Sequence, residues 1–308
     1  MSYVELHSHS AFSFLDGASS PDELALRAAE LGHREMALTD HDGIWGSMEF
    51  AQACHAQGVR PITGAELTVL ADGAPPPPAG FRGNCPSGAF HLTLLVADAT
   101  GYRNLCRLLT RAHAGTREGP DPSPPAVRLA DVARYAEGLV CLSGCARDGA
   151  LAGRIARGDR AGAERLGRAL VGAFGPDRFR VELQVPLWRG DRVRNRRLAE
   201  LAGLLGVPCA ATGNVHAHDR GRIPLQDALV AVRLGGTLES TEPGRRGNGA
   251  ATLVPPRAGG DALPRAPGSG RRDGAPGRSA PLRPRHRPRL QLSGGGGRQR
   301  RPQARRGL

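Results

Sequence analysis

Short strand-like runs, most of them unbroken and apolar, alternate with helix-period segments along most of this chain, and that alternation limits the fold more than any other feature. The runs are Met36–Thr39, Val59–Ala65, His91–Val96, Leu139–Ser143, Phe179–Gln184 and Pro208–Thr212. Between them apolar residues recur at three- and four-residue spacing, as at Leu105, Leu108 and Leu109, and again over 160–174, 193–205 and 223–234. Strands buried on both faces read as continuous apolar runs, and the helices between them carry the crossovers, so a parallel sheet covered by helices is expected. About seven such repeats in roughly 240 residues fit a distorted β/α barrel of the TIM type better than a doubly wound open sheet.

Local punctuation agrees with this layout. Ser20-Pro21-Asp22-Glu23 predicts a helix start, with Ser20 as N-cap, Pro21 in the first turn and Glu23 closing a capping box. Leu24, Ala28 and Leu31 supply its apolar stripe and Gly32 ends it. Residues 72–88, with the proline run at 75–78, predict a surface loop, and residues 115–125 a second Pro/Gly connection. Aromatic residues make up only 4% of the chain, so the core must be built from Leu, Val and Ala.

The polar residues suited to chemistry gather where strands end. Val4-Glu5-Leu6-His7-Ser8-His9 reads as an opening strand, and residues two apart on a strand share a face. His7 and His9 can therefore point two imidazoles into one pocket, with the Asp16 carboxylate a short loop later. His41 follows the second strand, Glu66 the third, and Cys145 and His216 later ones, while His91 opens its strand. The C-terminal strand ends of a β/α barrel converge on one face. Imidazole, carboxylate and thiol donors meeting there suit two or three divalent cations of the zinc, manganese or iron kind. Each residue also has a plainer role open to it: Cys145 as a small buried thiol, Asp40 and Asp42 as loop caps, and His33, His55 and His113 as surface residues on or beside helices.

The net charge of +13 points towards nucleic acid, but its location does not. The chain has no Lys, and residues 249–308 hold 14 of its 42 Arg against only Asp261 and Asp273. That stretch therefore carries +12, and the remaining 248 residues are nearly neutral at +1. From Gly249 onward no apolar periodicity survives, and a segment of Arg, Gly and Pro cannot bury enough surface to offset its ordering entropy. The expected division is a metal-binding barrel over 1–240 and a disordered tail over 241–308. A basic nucleic-acid-binding tail and a shifted reading frame in a GC-rich gene both produce such a composition, and the abrupt change after Gly247-Asn248 favours the frame shift. Six scattered cysteines without a C-x-x-C pair fit a reducing cytosol. Neither a signal peptide nor a membrane span is evident, so a cytoplasmic location is expected.

Four motifs in order make the picture specific. Glu5-Leu6-His7-Ser8-His9 with Asp16, Leu38-Thr39-Asp40-His41-Asp42, Gly64-Ala65-Glu66 and Leu142-Ser143-Gly144-Cys145 together resemble the polymerase-and-histidinol-phosphatase (PHP) domain. Residues 3–68 and 211–248 are more closely similar to the N-terminal region of bacterial error-prone DNA polymerases. The resemblance covers about residues 1–248. It implies a distorted seven-stranded β/α barrel with a site for up to three metals. By position it assigns His7, His9, Asp16, His41, Glu66, His91, Cys145 and His216 as ligands, with His7, His9, Asp16, His41 and Glu66 carrying the chemistry. The family's D-x-H at the last motif is Asn214-Val215-His216 here, and Asn is a neutral, weaker ligand than Asp. The function implied is that of a PHP domain in a polymerase of DNA replication and translesion repair, resembling a multinuclear phosphoesterase or 3′–5′ exonuclease. DNA is the implied partner through the full-length polymerase, with other damage-tolerance proteins beside it. The polymerase module itself is expected to be absent from these residues. A stand-alone PHP phosphatase and a catalytically silent, metal-stabilised scaffold are the alternatives.

Overall fold

The computed structural model describes residues 3–117 and 122–256. One curled seven-stranded sheet runs through it. Strand β1 (Glu35–Leu38) pairs parallel with β2 (Arg60–Leu70), and β2 pairs antiparallel with β3 (Ala89–Val96). A two-residue β4 (Val127–Arg128) extends the far end of β2 in parallel. Strand β3 pairs antiparallel with β5 (Leu139–Leu142), after which β6 (Phe179–Leu183) and β7 (Cys209–Ala211) follow in parallel.

The N-terminal segment joins the two edges of this path. Glu5 bridges Met36 of β1, and Ser8 bridges Val215 just beyond β7, both in parallel. The N–H of Ala37 donates to the Glu5 carbonyl at 2.8 Å, and the N–H of His9 to the Val215 carbonyl at 2.8 Å. Residues 5–9 thus close the curl into a distorted barrel, although they form isolated bridges rather than the regular strand expected of them. The helices lie outside: α1 (Pro21–Glu30), α2 (Ser47–Ala56), α3 (Ala99–His113), α4 (Leu129–Arg134), α5 (Ala152–Ala156), α6 (Arg160–Phe174), α7 (Asp191–Leu205) and α8 (Ile223–Leu234). The capping box at α1 is present, with the Ser20 N–H donating to the Glu23 carboxylate at 3.0 Å.

Two expectations need correction. The sheet is not all-parallel, because β3 runs against its neighbours. Residues 71–88 between β2 and β3 contain no helix, and without a crossover a strand must return antiparallel. That hairpin also lengthens β2 to Leu70, so Glu66 lies within the strand rather than at its end. Secondly, residues 241–256 do not lie in a structureless tail. A 3₁₀ turn spans Glu242–Gly244, Thr252 bridges Ala217, and Leu253 packs with Leu24, Met36 and Phe50. Ala251, Thr252 and Leu253 find partners here that no periodicity in their own sequence announces. The remainder of the expected tail, 257–308, lies outside the described residues.

Period-two alternation sorts the core. Leu67, Val69, Leu92, Leu94, Leu139, Cys141, Val181 and Leu183 face outward into the main cluster with α3, α6 and α7. Ala37, Leu95, Val140 and Leu142 face inward, joined by Leu6, Ile62 and Ala210. The same inward face carries Glu66, Thr93 and Glu182, all buried. The barrel interior is therefore apolar low down and ionisable towards one mouth, and its polar end costs free energy unless something satisfies it.

Candidate metal centre

Topology brings His91 to the same mouth as the other candidates. Because β3 is reversed, its N-terminal end lies beside the C-terminal half of β2, with His91 opposite Thr68 and Thr93 opposite Glu66. An isolated bridge sets His41 beside Glu66, and another sets His91 beside Gly149. His7 and His9 arrive on the closing segment, and His216 on the run that follows β7. Of the nine residues singled out from the sequence, Asp16, His41, Glu66, His91, Cys145 and Asn214 line one cleft, and His7, His9 and His216 lie against them.

Glu66 is the hub. Its carboxylate lies 3.3 Å from His7 Nε2, 3.7 Å from His9 Nε2, 3.0 Å from His41 Nδ1 and 3.6 Å from His91 Nδ1. Asp16 forms a second focus, with Oδ2 3.2 Å from both His41 Nε2 and His216 Nε2. Three donor groups each lie within 4.8 Å of one another: His7, His9 and Glu66; His41, Glu66 and His91; and His9, His41 and His216. Cys145 adds its Sγ 3.9 Å from His91 Nδ1. Asn214 lines the same cleft, held at φ 49°, a left-handed conformation that Asn tolerates. Its Oδ1 is buried without a hydrogen-bond partner.

The imidazoles are braced from behind. His7 Nδ1 lies 2.7 Å from Glu182 Oε1, His9 Nδ1 3.2 Å from Ser13 Oγ, and His216 Nδ1 2.8 Å from the Asn214 carbonyl. An Nδ1–H engaged by an oxygen leaves Nε2 as the lone-pair nitrogen, turned into the cluster. Metal-ligating histidines are held in this way. His7 Nε2, His9 Nε2 and Glu66 Oε1 are buried with no hydrogen-bond partner in the protein. Such orphaned buried groups cost free energy unless something meets them. Divalent cations fit that need, and the N, O and S donor set suits zinc, manganese or iron.

Burial and neighbouring charges shift the proton affinities of these crowded groups in opposite directions. Burial alone would lower the His7 pKa, but the Glu182 and Glu66 carboxylates push it up to about 10. His41 likewise overcomes its burial and rises to about 10 through Glu66 and Asp16. His9 is driven well below its ordinary value by burial and by the neighbouring His41 and His216. His216 falls to about 4 through burial and the Arg246 guanidinium. Burial would raise Glu66 and Asp16, yet the surrounding imidazoles and, for Asp16, Arg246 hold both well below the usual carboxylate range. Burial and the Glu66 and Asp148 charges push the Cys145 thiol well up.

Other residues take supporting parts. Asp40 accepts from the Ser10 N–H at 2.7 Å and from the Ser10 and Ser13 hydroxyls at 2.8 and 2.7 Å, anchoring the loop after residue 9. Asp42 accepts from Thr68 N–H and Oγ1 at 2.7 and 2.8 Å. Both carboxylates are loop anchors. His33 is buried rather than superficial, with Nε2 2.8 Å from the Val254 carbonyl. The residue most clearly missed from the sequence is Glu182. A carboxylate midway along an apolar strand was its visible signal, since an unpaired charge is seldom buried there. Gln184 and Thr212 both donate to Glu182. Arg147, Trp188, Arg233 and Arg246 line the cleft mouth and gave no signal in a sequence rich in Arg.

Comparison with known proteins agrees with this architecture. The PHP domain family model matches residues 5–186. The error-prone DNA polymerase of Symbiobacterium thermophilum is 37% identical over 268 residues, covering 83% of this chain and 23% of that protein. The error-prone DNA polymerase of Mycobacterium bovis is 39% identical over 243 residues, covering 78% of this chain and 21% of that protein. The chain thus spans less than a quarter of the length of these curated relatives. A solved amidohydrolase structure from Chromobacterium violaceum, with bound sulfate, shares the fold at a TM-score of 0.50 and 20% identity, over 70% of this chain and 88% of its own.

Proposed function

The chain belongs to the PHP domain family, and from that premise we propose that it is the N-terminal PHP domain of an error-prone DNA polymerase serving DNA replication and translesion repair. Its own cleft is a metal-dependent phosphoesterase site of the 3′–5′ exonuclease kind. The observation that carries this reading is the convergence of five imidazoles, Glu66, Asp16 and Cys145, with His7, His9 and His216 already braced through Nδ1.

His7, His9, Asp16, His41, Glu66, His91, Cys145, Asn214 and His216 would hold two or three divalent cations. Bound there, such cations supply Lewis acidity, activating water at neutral pH and drawing charge from a phosphoryl group. The chain's own residues supply orientation and access. Glu182 and Ser13 keep the Nε2 lone pairs of His7 and His9 turned inward. Glu66 reaches four imidazoles at once and belongs to two of the three donor groups, so it would help hold a cation in either. His41, with 28% of its side chain exposed, marks the open side of the cluster, where a substrate enters. Arg233, at the mouth, gives positive charge on the approach side for a phosphodiester. DNA met in the cytoplasm is the proposed substrate, and other damage-tolerance proteins are partners of the whole enzyme.

Manganese-dependent trimming of a labelled single strand by the purified chain, lost on chelation, tests this function. Release of phosphate from a small phosphomonoester instead would point to a stand-alone phosphatase. Asn214 favours a second reading, a metal-stabilised scaffold, because a neutral amide replaces a carboxylate in the cluster. Bound metal without turnover is its signature. Template-directed synthesis is not expected of these 308 residues, and primer extension by the purified chain would refute that. Resequencing past the Asn248 codon tests the frame-shift origin proposed for the tail.

A further inference from the structure

The segment that follows α8 does more than cover the barrel mouth. Its backbone is strapped down at three successive residues. Arg147 donates to the Gly244 and Arg245 carbonyls at 2.9 and 3.1 Å, and Trp188 Nε1 donates to the Arg246 carbonyl at 3.0 Å. Asn248 Nδ2 ties the next turn to the Pro186 carbonyl at 2.8 Å, and Arg245 is paired with Asp227 at 2.8 Å. Arg147 itself is stacked on the Trp188 ring, 4.8 Å from its centroid. This strap delivers the Arg246 side chain into the cluster. Its guanidinium donates to His216 Nε2 and lies 3.5 Å from Asp16 Oδ2.

We propose that Arg246 is a built-in cation of the centre, standing in for one divalent ion at the Asp16–His216 corner, so that the chain holds two ions tightly and not three. The inference rests on the metal-centre reading above and adds its stoichiometry. Of the three donor groups, two share Glu66, and the Arg246 guanidinium instead meets His216 and Asp16. The third, His9, His41 and His216, has Asp16 beside it, bridging His41 and His216. An ion in that corner needs the lone pair of His216 Nε2 and the charge of Asp16 Oδ2. Those are the two atoms the guanidinium faces. A guanidinium is always charged, only donates, and cannot be a ligand, so it and a metal ion exclude each other there. Charge points the same way. Asp16 and Glu66 are the two acidic carboxylates among the nine residues, since Asn214 is neutral. Asp16 is further served by Gln226 at 3.2 Å and Arg233 at 3.8 Å. A third dication would add charge to a corner already neutralised.

The test is a metal count on the full chain, stripped with chelator and titrated with manganese by calorimetry, with elemental analysis of the protein after gel filtration. Wild type is expected to retain two ions. Arg246→Met, which keeps the apolar stem, is expected to retain three, or to bind the last ion at least tenfold more tightly. Arg246→Lys, which keeps the charge, is expected to stay closer to wild type. Trp188→Phe removes the indole N–H that holds the Arg246 carbonyl and leaves every cluster donor in place; it is expected to shift the last ion the same way by a smaller factor. Circular dichroism and melting establish that each variant folds. Three equally tight ions in wild type overturns the proposal, as does an unchanged count and affinity in both Arg246→Met and Trp188→Phe. No retained ion in any form removes the metal-centre reading itself, and the stoichiometry with it.

Discussion

Replacing Glu182 with Gln isolates the contribution of a residue that sets how the proposed ligand His7 is presented. Glu182 and His7 are both fully buried, with Oε1 2.7 Å from Nδ1. At that separation two unit charges in a medium of effective dielectric 20 attract by about 6 kcal/mol, and desolvation of both groups offsets most of it. Gln keeps the shape and an acceptor oxygen, so the His7 tautomer survives and only the polarising charge goes. Partners that orient metal ligands in this way are typically worth 10–100-fold in affinity, or about 1.4–2.7 kcal/mol. Glu182→Gln is therefore expected near the lower end, about tenfold weaker for zinc or manganese. Glu182→Leu should fall near the upper end and also lower the melting temperature, because it strands the buried donors of His7, Gln184 and Thr212 at about 1–3 kcal/mol each. Competition titration with a chromophoric chelator, paired with thermal melting of the metal-free protein, reads both quantities. Equal affinity in wild type, Glu182→Gln and Glu182→Leu would refute the claim that His7 is a ligand braced by Glu182.

Further outcomes follow from the same geometry. Cys145→Ser exchanges a soft donor for a hard one beside His91, so zinc affinity should drop at least tenfold more than manganese affinity in parallel titrations. Gly144 sits at φ +86°, and a Cβ there would lie 2.1 Å from the His91 carbonyl oxygen. Gly144→Ala should therefore cost more than the ~1–2 kcal/mol of left-handed strain alone, seen as a clear loss in thermal melts and metal retention together. In metal-free protein, the raised pKa values of His7 and His41 mean that their ion pairs contribute fully below pH 6.5 and are lost as the pH climbs through about 10. Chelated protein should accordingly unfold more readily at pH 10 than at pH 6, and a flat profile across that range would count against the paired imidazolium picture. Leu94→Ala, in the fully buried core, should cost about 3–5 kcal/mol in urea unfolding.

Much of the fold and most of the cluster were legible in the residue order. Unbroken runs such as Leu139–Leu142 require cover on both faces, and the helix-period stretches between the runs supply it. The α1 start could be read from Ser20, Pro21 and Glu23 because capping is local chemistry. His7 and His9 could be paired because two-residue spacing on extended backbone needs no knowledge of the rest of the chain. The donor types, too, are properties of side chains and are present in the sequence as written.

Other features depend on partners far away in the chain, and local pattern does not encode them. The reversal of β3 follows from its pairing with β2 and β5, and only that reversal explains why His91, at the start of a strand, meets residues from the ends of others. Glu182 acquires its role from His7, 175 residues away. Arg246 is one Arg among 42 until the strap from Arg147 and Trp188 aims it at Asp16 and His216. Residue order determines which donors exist and which backbone they ride on. Their separations to within a few ångström, and so the charge balance that selects a cation, are decided by long-range packing, because Coulomb energy depends on distance through space and not along the chain.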